Sequence, residues 1–271
     1  MICLNLTKEN FPPKNSNMKL VILGSGTGTP LCYRASPSAA LLLSGNYFLF
    51  DIGPGTLRQM ARVSLSHERI NRIFITHLHP DHTADLIHFI FATRNPSVIR
   101  NRAPFGITGP EGIKKFISML QDAYYTSLNL PPHIMQIEEL DSKRTSEIDY
   151  QFIRIKTCPT SHTTDSIAYR IECPSGESFV YSGDTGFSED IIRLAKGVDV
   201  LILEASFPDG TDVEGHLTPS QAGFIASSAG VKRLVLTHFY PECLATDIAS
   251  QCRKSYDGEL TLGSDLLNIT I

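Results

Sequence analysis

Four side chains of metal-binding type fall within six consecutive positions, His77-Leu78-His79-Pro80-Asp81-His82, directly after the apolar run Arg72-Ile73-Phe74-Ile75-Thr76. Imidazole and carboxylate suit zinc or a similar divalent ion. An unpaired polar cluster beside a buried strand is costly, so an ordinary surface turn explains this density poorly. A turn leaving such a strand can aim alternate side chains inward, so His77 and His79 are read as donors to one ion and Asp81 and His82 to a second. Further candidates sit just past other strand-like runs: His162, Asp184, His216 and His238. Their recurrence at strand ends points to one convergent site. The other three histidines, His67, His88 and His133, are read as surface or packing residues.

With 271 residues, 42% hydrophobic and 19% charged, the chain has ample core and is not disordered. Strand-like runs are predicted at 19–23, 39–43, 47–51, 71–76, 104–108, 151–157, 166–172, 178–183, 199–203 and 232–237. Helix-like stretches interleave with them at about 55–64, 83–94, 110–122, 188–196, 218–229 and 244–254. Residues 131–149 are weakest in pattern and are read as the seam between two similar halves packed face to face. The glycine loop Gly24-Ser25-Gly26-Thr27-Gly28 lacks dinucleotide spacing and runs into Pro30, so it is read as a turn.

The net charge of −4 argues against a surface that grips nucleic acid by bulk charge and leaves a local positive site open. No apolar run approaches the roughly 18 residues of a membrane span, and no signal-peptide pattern opens the chain. Residues 1–17 are read as an N-terminal extension and 18–271 as a single domain. The six cysteines show no framework spacing, so free thiols in a cytoplasmic setting are expected.

The motif His77-x-His79-x-Asp81-His82 resembles the signature of the metallo-β-lactamase superfamily, and the resemblance extends from Met18 to Ile271. It implies a four-layer αββα sandwich and a two-metal site. On that resemblance His77, His79 and His162 hold one ion, Asp81, His82 and His238 the other, and Asp184 bridges them. The ions implied are Zn2+, with Mn2+ or Fe2+ as alternatives. Within the superfamily the chain looks most like the ribonuclease Z branch of phosphodiesterases. The residues that carry this are Leu23 to Pro30, Asp51-Ile52-Gly53-Pro54-Gly55, Tyr181 to Thr185, Glu204-Ala205-Ser206-Phe207, Gly215 to Ala222 and Leu236 to Phe239. In that branch the equivalent of His216, oriented by the equivalent of Glu204, faces the scissile phosphate and can protonate the leaving oxygen.

Two departures bear on the substrate. Bacterial tRNA-processing members carry an RNA-gripping arm between the third histidine ligand and the bridging aspartate, but here Asp184 follows His162 by only 22 positions. The chain also continues from its last ligand histidine as Phe239-Tyr240-Pro241, where those enzymes carry a serine and an arginine-tyrosine pair. The expected substrate is therefore a small or cyclic phosphodiester or a nucleic-acid end, with tRNA left open. Two divalent ions outweigh Asp81 and Asp184 in charge, which would draw an anionic diester into an acidic protein. The expected chemistry is attack by a metal-bound hydroxide that Asp81 orients, with His216 as general acid held by Glu204. Asp51 is a candidate partner for a ligand histidine or a turn cap. Alternatives are hydrolysis of a lactone, thioester or sulfate ester, or a non-catalytic carrier with this fold. Relatives in the branch are often dimers, which implies a homodimer.

Overall fold

The computed structural model describes residues 18–150 and 152–271. The expected extension at 1–17 lies outside the described residues. Two mixed sheets of seven strands form the centre of the molecule. The first contains β1 (Lys19–Gly24), β2 (Ser38–Leu43), β3 (Asn46–Phe50), β4 (Ile70–Phe74), β5 (Phe105–Pro110), β6 (Met135–Leu140) and, from the far end of the chain, β14 (Leu267–Thr270). The second contains β7 (Ser146–Tyr150), β8 (Ile153–Pro159), β9 (Ile167–Glu172), β10 (Ser178–Tyr181), β11 (Val200–Glu204), β12 (Arg233–Thr237) and β13 (Glu259–Leu262). Spatial order is β14-β1-β2-β3-β4-β5-β6 and β13-β12-β11-β10-β9-β8-β7.

Central strands read as unbroken apolar runs because both of their faces are covered. Leu20 and Ile22 of β1 point to the inter-sheet core with Phe50, Phe74, Tyr169 and Phe179. Val21 and Leu23 of the same strand point the other way, against Met60, Phe89, Ile90 and Ile117. On the outer face of the second sheet, Val180, Leu201 and Leu234 pack on Ile191, Ile225 and Cys252. The covering helices include Thr56–Arg62, Asp85–Thr93 and Ile113–Ala123 on one side and Glu189–Leu194, Pro219–Ala229 and Ile248–Cys252 on the other. The order helix, sheet, sheet, helix is the αββα sandwich.

The structure differs from the sequence expectation at the margins. The weak segment 131–149 does hold the boundary between the two sheets, but it also supplies β6 and β7. The halves are not contiguous either, since β14 crosses back to pair with β1, Leu20 opposite Ile269. The predicted helix at 244–254 is two short ones, Pro241–Leu244 and Ile248–Cys252, the second capped by Asp247. A short helix at Pro96–Asn101, capped by Asn95, was not read from the sequence.

Strand direction aims the functional loops. The pairs β3·β4, β10·β11 and β11·β12 are parallel, and β8 runs with β10 through two antiparallel steps. Ligand crevices in such sheets form at the carboxyl ends of the strands. Here Tyr169 donates from its hydroxyl to the Ile75 carbonyl at 2.7 Å, and the Ile167 amide donates to Thr76 at 2.9 Å, fixing one sheet's strand ends against the other's.

Candidate metal centre

Beyond β4 the chain runs through Ile75 and Thr76 into His77, and Pro80 then starts a short helix, Pro80–Thr83, that carries Asp81 and His82. Proline suits a first helical position because its missing N–H would have no partner there. His162 follows β8, Asp184 follows β10 and His238 follows β12. Two glycines allow the close approaches this needs. A Cβ on Gly183, whose φ is +59°, would lie 2.6 Å from the Thr76 side chain, and one on Gly215, at φ +81°, would lie 2.8 Å from His162 Nδ1. Asp51 and His238 are themselves at positive φ, 56° and 60°, in a conformation that costs a non-glycine residue energy and clusters at functional sites.

All seven metal-donor candidates meet in one place, as two sets. His77 Nε2 and His162 Nε2 each lie 3.1 Å from His79 Nδ1, and Asp184 Oδ2 lies 3.9 Å from the first and 3.7 Å from the second. On the other side of the same carboxylate, Asp184 Oδ1 lies 3.1 Å from His82 Nε2 and 3.2 Å from His238 Nε2. Asp81 Oδ2 completes that set at 3.7 and 3.6 Å from the same two nitrogens. Asp184 thus turns one oxygen to each set. His67, His88 and His133 belong to neither set among the described residues.

The rear nitrogens of the rings are anchored, which decides which nitrogen faces the centre. His82 Nδ1 donates to Asp51 Oδ2 at 2.7 Å, and His162 Nδ1 donates to the Gly215 carbonyl at 2.9 Å. His238 Nδ1 lies 2.8 Å from the Ser206 hydroxyl, and His77 Nδ1 lies 3.0 Å from the Thr76 hydroxyl. Those hydroxyls donate onward to Glu204 and Asp51 respectively, so they accept from the imidazoles. Each of these four rings therefore turns Nε2 inward, as a lone pair whenever the ring is neutral. His79 alone presents Nδ1.

Such an arrangement calls for a cation. His82 Nε2, His238 Nε2 and Asp184 Oδ1 are buried and make no hydrogen bond, although both nitrogens lie within 3.2 Å of that oxygen. Buried polar atoms are almost always paired, and facing imidazole lone pairs repel unless positive charge lies between them. Nitrogen and carboxylate donors in two sets of this size fit divalent ions. The charge balance of the protein alone points the same way. Burial opposes charge on His82, yet Asp184 and Asp51 overcome it and hold the imidazole well above its usual pKa. Burial likewise opposes ionisation of Asp184, but His238 and His82 hold its carboxyl well below the carboxylate range. Burial, with His82 close by, holds His77 well below the ordinary histidine value.

His216 and Glu204 stand beside the donors, with a ligand atom of each within 4.8 Å of those on Asp184 and His238, but they are bound to each other. His216 Nδ1 donates to Glu204 Oε1 at 2.9 Å, and the His216 ring lies 4.9 Å from that of His162 and 5.8 Å from that of His238. Burial lowers the His216 pKa, but the hydrogen bond and charge of Glu204 outweigh it and raise the value above normal. Glu204 is fully buried and also accepts from the Thr185 and Leu217 amides, at 2.8 and 3.1 Å. Of the two roles open to Asp51, the structure shows the histidine partner: its oxygens take His82, the Thr76 amide and hydroxyl, and the Tyr181 hydroxyl at 3.2 Å.

Sequence reasoning passed over several of these residues. Ser206 touches Glu204, His216 and His238, yet a serine two places after a strand carries no signal of its own. Thr76 and Tyr181 reach Asp51 from separate sheets. Phe207 and Tyr240 form the rim beside His216, their rings stacked 4.7 Å apart. Between His162 and Asp184 the chain is taken up by β9, β10 and their turns, which leaves no inserted arm.

A family profile described as a beta-lactamase superfamily domain matches residues 46–239. Ribonuclease Z of Methanothermobacter thermautotrophicus is 28% identical, over 94% of this chain and 97% of its own length. Ribonuclease Z of Streptomyces avermitilis is 27% identical over 93% and 97%. The first of these alignments runs to 305 positions, more than the 271 residues of this chain, so that relative carries segments without a counterpart here. The crystal structure of human tRNase Z, short form, superposes with a TM-score of 0.76 at 25% identity, over 94% of this chain and 99% of that one. The metallo-beta-lactamase fold protein YhfI from Bacillus subtilis superposes with a TM-score of 0.81 at 21% identity, over 95% and 100%, and shares the fold.

Proposed function

Since the chain belongs to the metallo-β-lactamase superfamily, we propose that it is a ribonuclease Z-like, metal-dependent phosphodiesterase that holds two zinc ions. The observation that carries this reading is the set of buried, hydrogen-bond-free donor atoms on His82, His238 and Asp184, with the second Asp184 oxygen facing a separate histidine cluster. His77, His79 and His162 would hold one ion, Asp81, His82 and His238 the other, and Asp184 both. Bound divalent ions supply Lewis acidity and lower the pKa of water from about 15.7 toward about 7.

The protein's own groups supply the rest. Burial opposes ionisation of Asp81, but His238 and His82 hold its carboxyl below the usual range, so it is ready to accept a hydrogen bond and orient an attacking water. His216, kept protonated to higher pH by Glu204, delivers a proton from Nε2 to the leaving oxygen. Without an arm in the stretch between His162 and Asp184, the enzyme acts on a small or cyclic phosphodiester or a nucleic-acid end. Residues 18–271 work as one domain, and the burial of Cys158, Cys173, Cys243 and Cys252, which pushes each thiol up to about 11 or 12, suits a cytoplasmic protein. Among the described residues no helix is long and apolar enough to cross a membrane.

Metal analysis together with hydrolysis of bis(4-nitrophenyl) phosphate under added zinc or manganese tests the proposal. Bound divalent metal and turnover are expected, and a protein that takes up no divalent ion defeats it. His216→Ala should keep the metal and lose about 10²–10⁴ in kcat; an unchanged rate removes His216 from the mechanism. Precursor tRNA, cyclic nucleotides and a lactone assayed in parallel rank the substrates.

A further inference from the structure

The rim beside His216 carries two aromatic rings that proton transfer and metal binding do not use. Their placement follows from the sheet. Strands β11 and β12 pair in parallel with Glu204 opposite Thr237. The pairing continues past both strand ends, because the Ala205 amide donates to Thr237 at 3.0 Å and the Tyr240 amide donates to Ser206 at 3.2 Å. Phe207 and Tyr240 therefore come side by side, with ring centroids 4.7 Å apart and planes 14° apart. The same two rings meet His216 nearly edge-on, at 5.6 Å from Phe207 and 6.1 Å from Tyr240, and Tyr240 meets His238 at 5.9 Å.

Both rings are only half-buried, whereas neighbouring Phe239 is fully enclosed in the core. The Tyr240 hydroxyl has no hydrogen-bond partner among the described residues. The result is a rigid, uncharged, partly open aromatic stack at the edge of a site built for an anion.

We propose that Phe207 and Tyr240 form a stacking platform for a nucleobase next to the scissile phosphate. This deepens the phosphodiesterase reading and rests on it. The substrate class it selects is a nucleotide-bearing phosphodiester with an unpaired base, as in a cyclic nucleotide or a single-stranded end. A base already stacked within a duplex is not available to the rings.

The test compares adenosine 5′-monophosphate with ribose 5-phosphate, which lacks only the base, by calorimetric titration of the metal-loaded protein. Stacking of one base on an aromatic side chain should make the nucleotide bind roughly 5- to 150-fold more tightly. Tyr240→Ala is expected to bring that ratio close to one, and Tyr240→Phe, which keeps the ring, to preserve it. Equal binding of the two ligands by the unaltered protein overturns the platform, as does a Tyr240→Ala loss shared equally by both. If ribose 5-phosphate and inorganic phosphate also fail to bind, the phosphodiesterase reading falls and takes the platform with it; if ribose 5-phosphate binds without preference for the base, only the platform falls.

Discussion

The two donor sets share one carboxylate and differ in almost everything else. The His82, His238 and Asp81 set lies deep, with the two histidines at 0% and 2% exposure and both Nε2 atoms unpaired. The His77, His79 and His162 set is buried at His77, which is 0% exposed, and opens outward through half-buried His162 to exposed His79. A buried set has no water to fall back on, so its cation is part of the fold's own charge balance, with Asp51 and Asp184 on either side of His82. The outward set can satisfy exposed His79 with solvent, so a cation held there would add to chemistry more than to stability. Metal affinity, stability and turnover should therefore respond differently to equivalent changes on the two sides.

The largest effect is expected where the sets join. Asp184→Ala removes an oxygen from each, and metal analysis should find both ions weakened and hydrolysis reduced to background; retention of two ions with normal turnover would show that the carboxylate does not bridge. Next, Asp51→Asn removes the carboxylate that His82 touches directly and His77 reaches only through Thr76, so it should weaken one of the two bound ions about 10- to 100-fold in a chelator competition and the other less. Equal weakening of both would break the distinction between the sets.

Stability sharpens it further. In metal-free protein, His238→Ala removes a buried ring and leaves the Ser206 hydroxyl without the Nδ1–H it accepts from, which should cost about 1–3 kcal/mol in denaturant unfolding. His79→Ala, at the exposed position, should stay within about 0.5 kcal/mol. Equal costs would mean that burial is not what separates the two sets.

The smallest expected effect lies at the Glu204–His216 pair. Glu204 raises the His216 pKa, and a general acid must be protonated, so kcat falls as pH rises through that value. Glu204→Gln removes the raising charge, so the alkaline limb of the kcat profile should move to lower pH. A limb that stays in place separates Glu204 from proton delivery.

Legibility in the sequence tracks local burial. Every strand predicted from the sequence is flanked on both sides by other strands. The four strands that sequence reasoning missed, β6, β7, β13 and β14, are the outermost strands of the two sheets. Their segments, such as Ser146-Glu147-Ile148-Asp149-Tyr150, alternate or mix polar residues because one flank faces water, and charge along an edge also discourages pairing with other chains. The contrast with Val200 to Glu204, buried at all five positions, is the contrast between a strand the core dictates and one it merely touches.

The candidate site divides along the same line. His77, His79, Asp81 and His82 are readable because one turn carries them all, and spacing along a chain is what a sequence records. Strand ends mark His162, Asp184 and His238 as candidates, whereas His216, expected at a strand end too, lies in the loop between β11 and the helix Pro219–Ala229; family resemblance ordered the donors into sets. Only the tertiary structure decided that the two oxygens of Asp184 face different histidines, through the packing of one sheet on the other, and that Asp51 backs His82 and Ser206 joins Glu204 to His238, through the pairing of neighbouring strands. Those relations depend on distances across strands far apart in the chain, from Asp51 to His238, and a distance of that kind exists only once the core has closed.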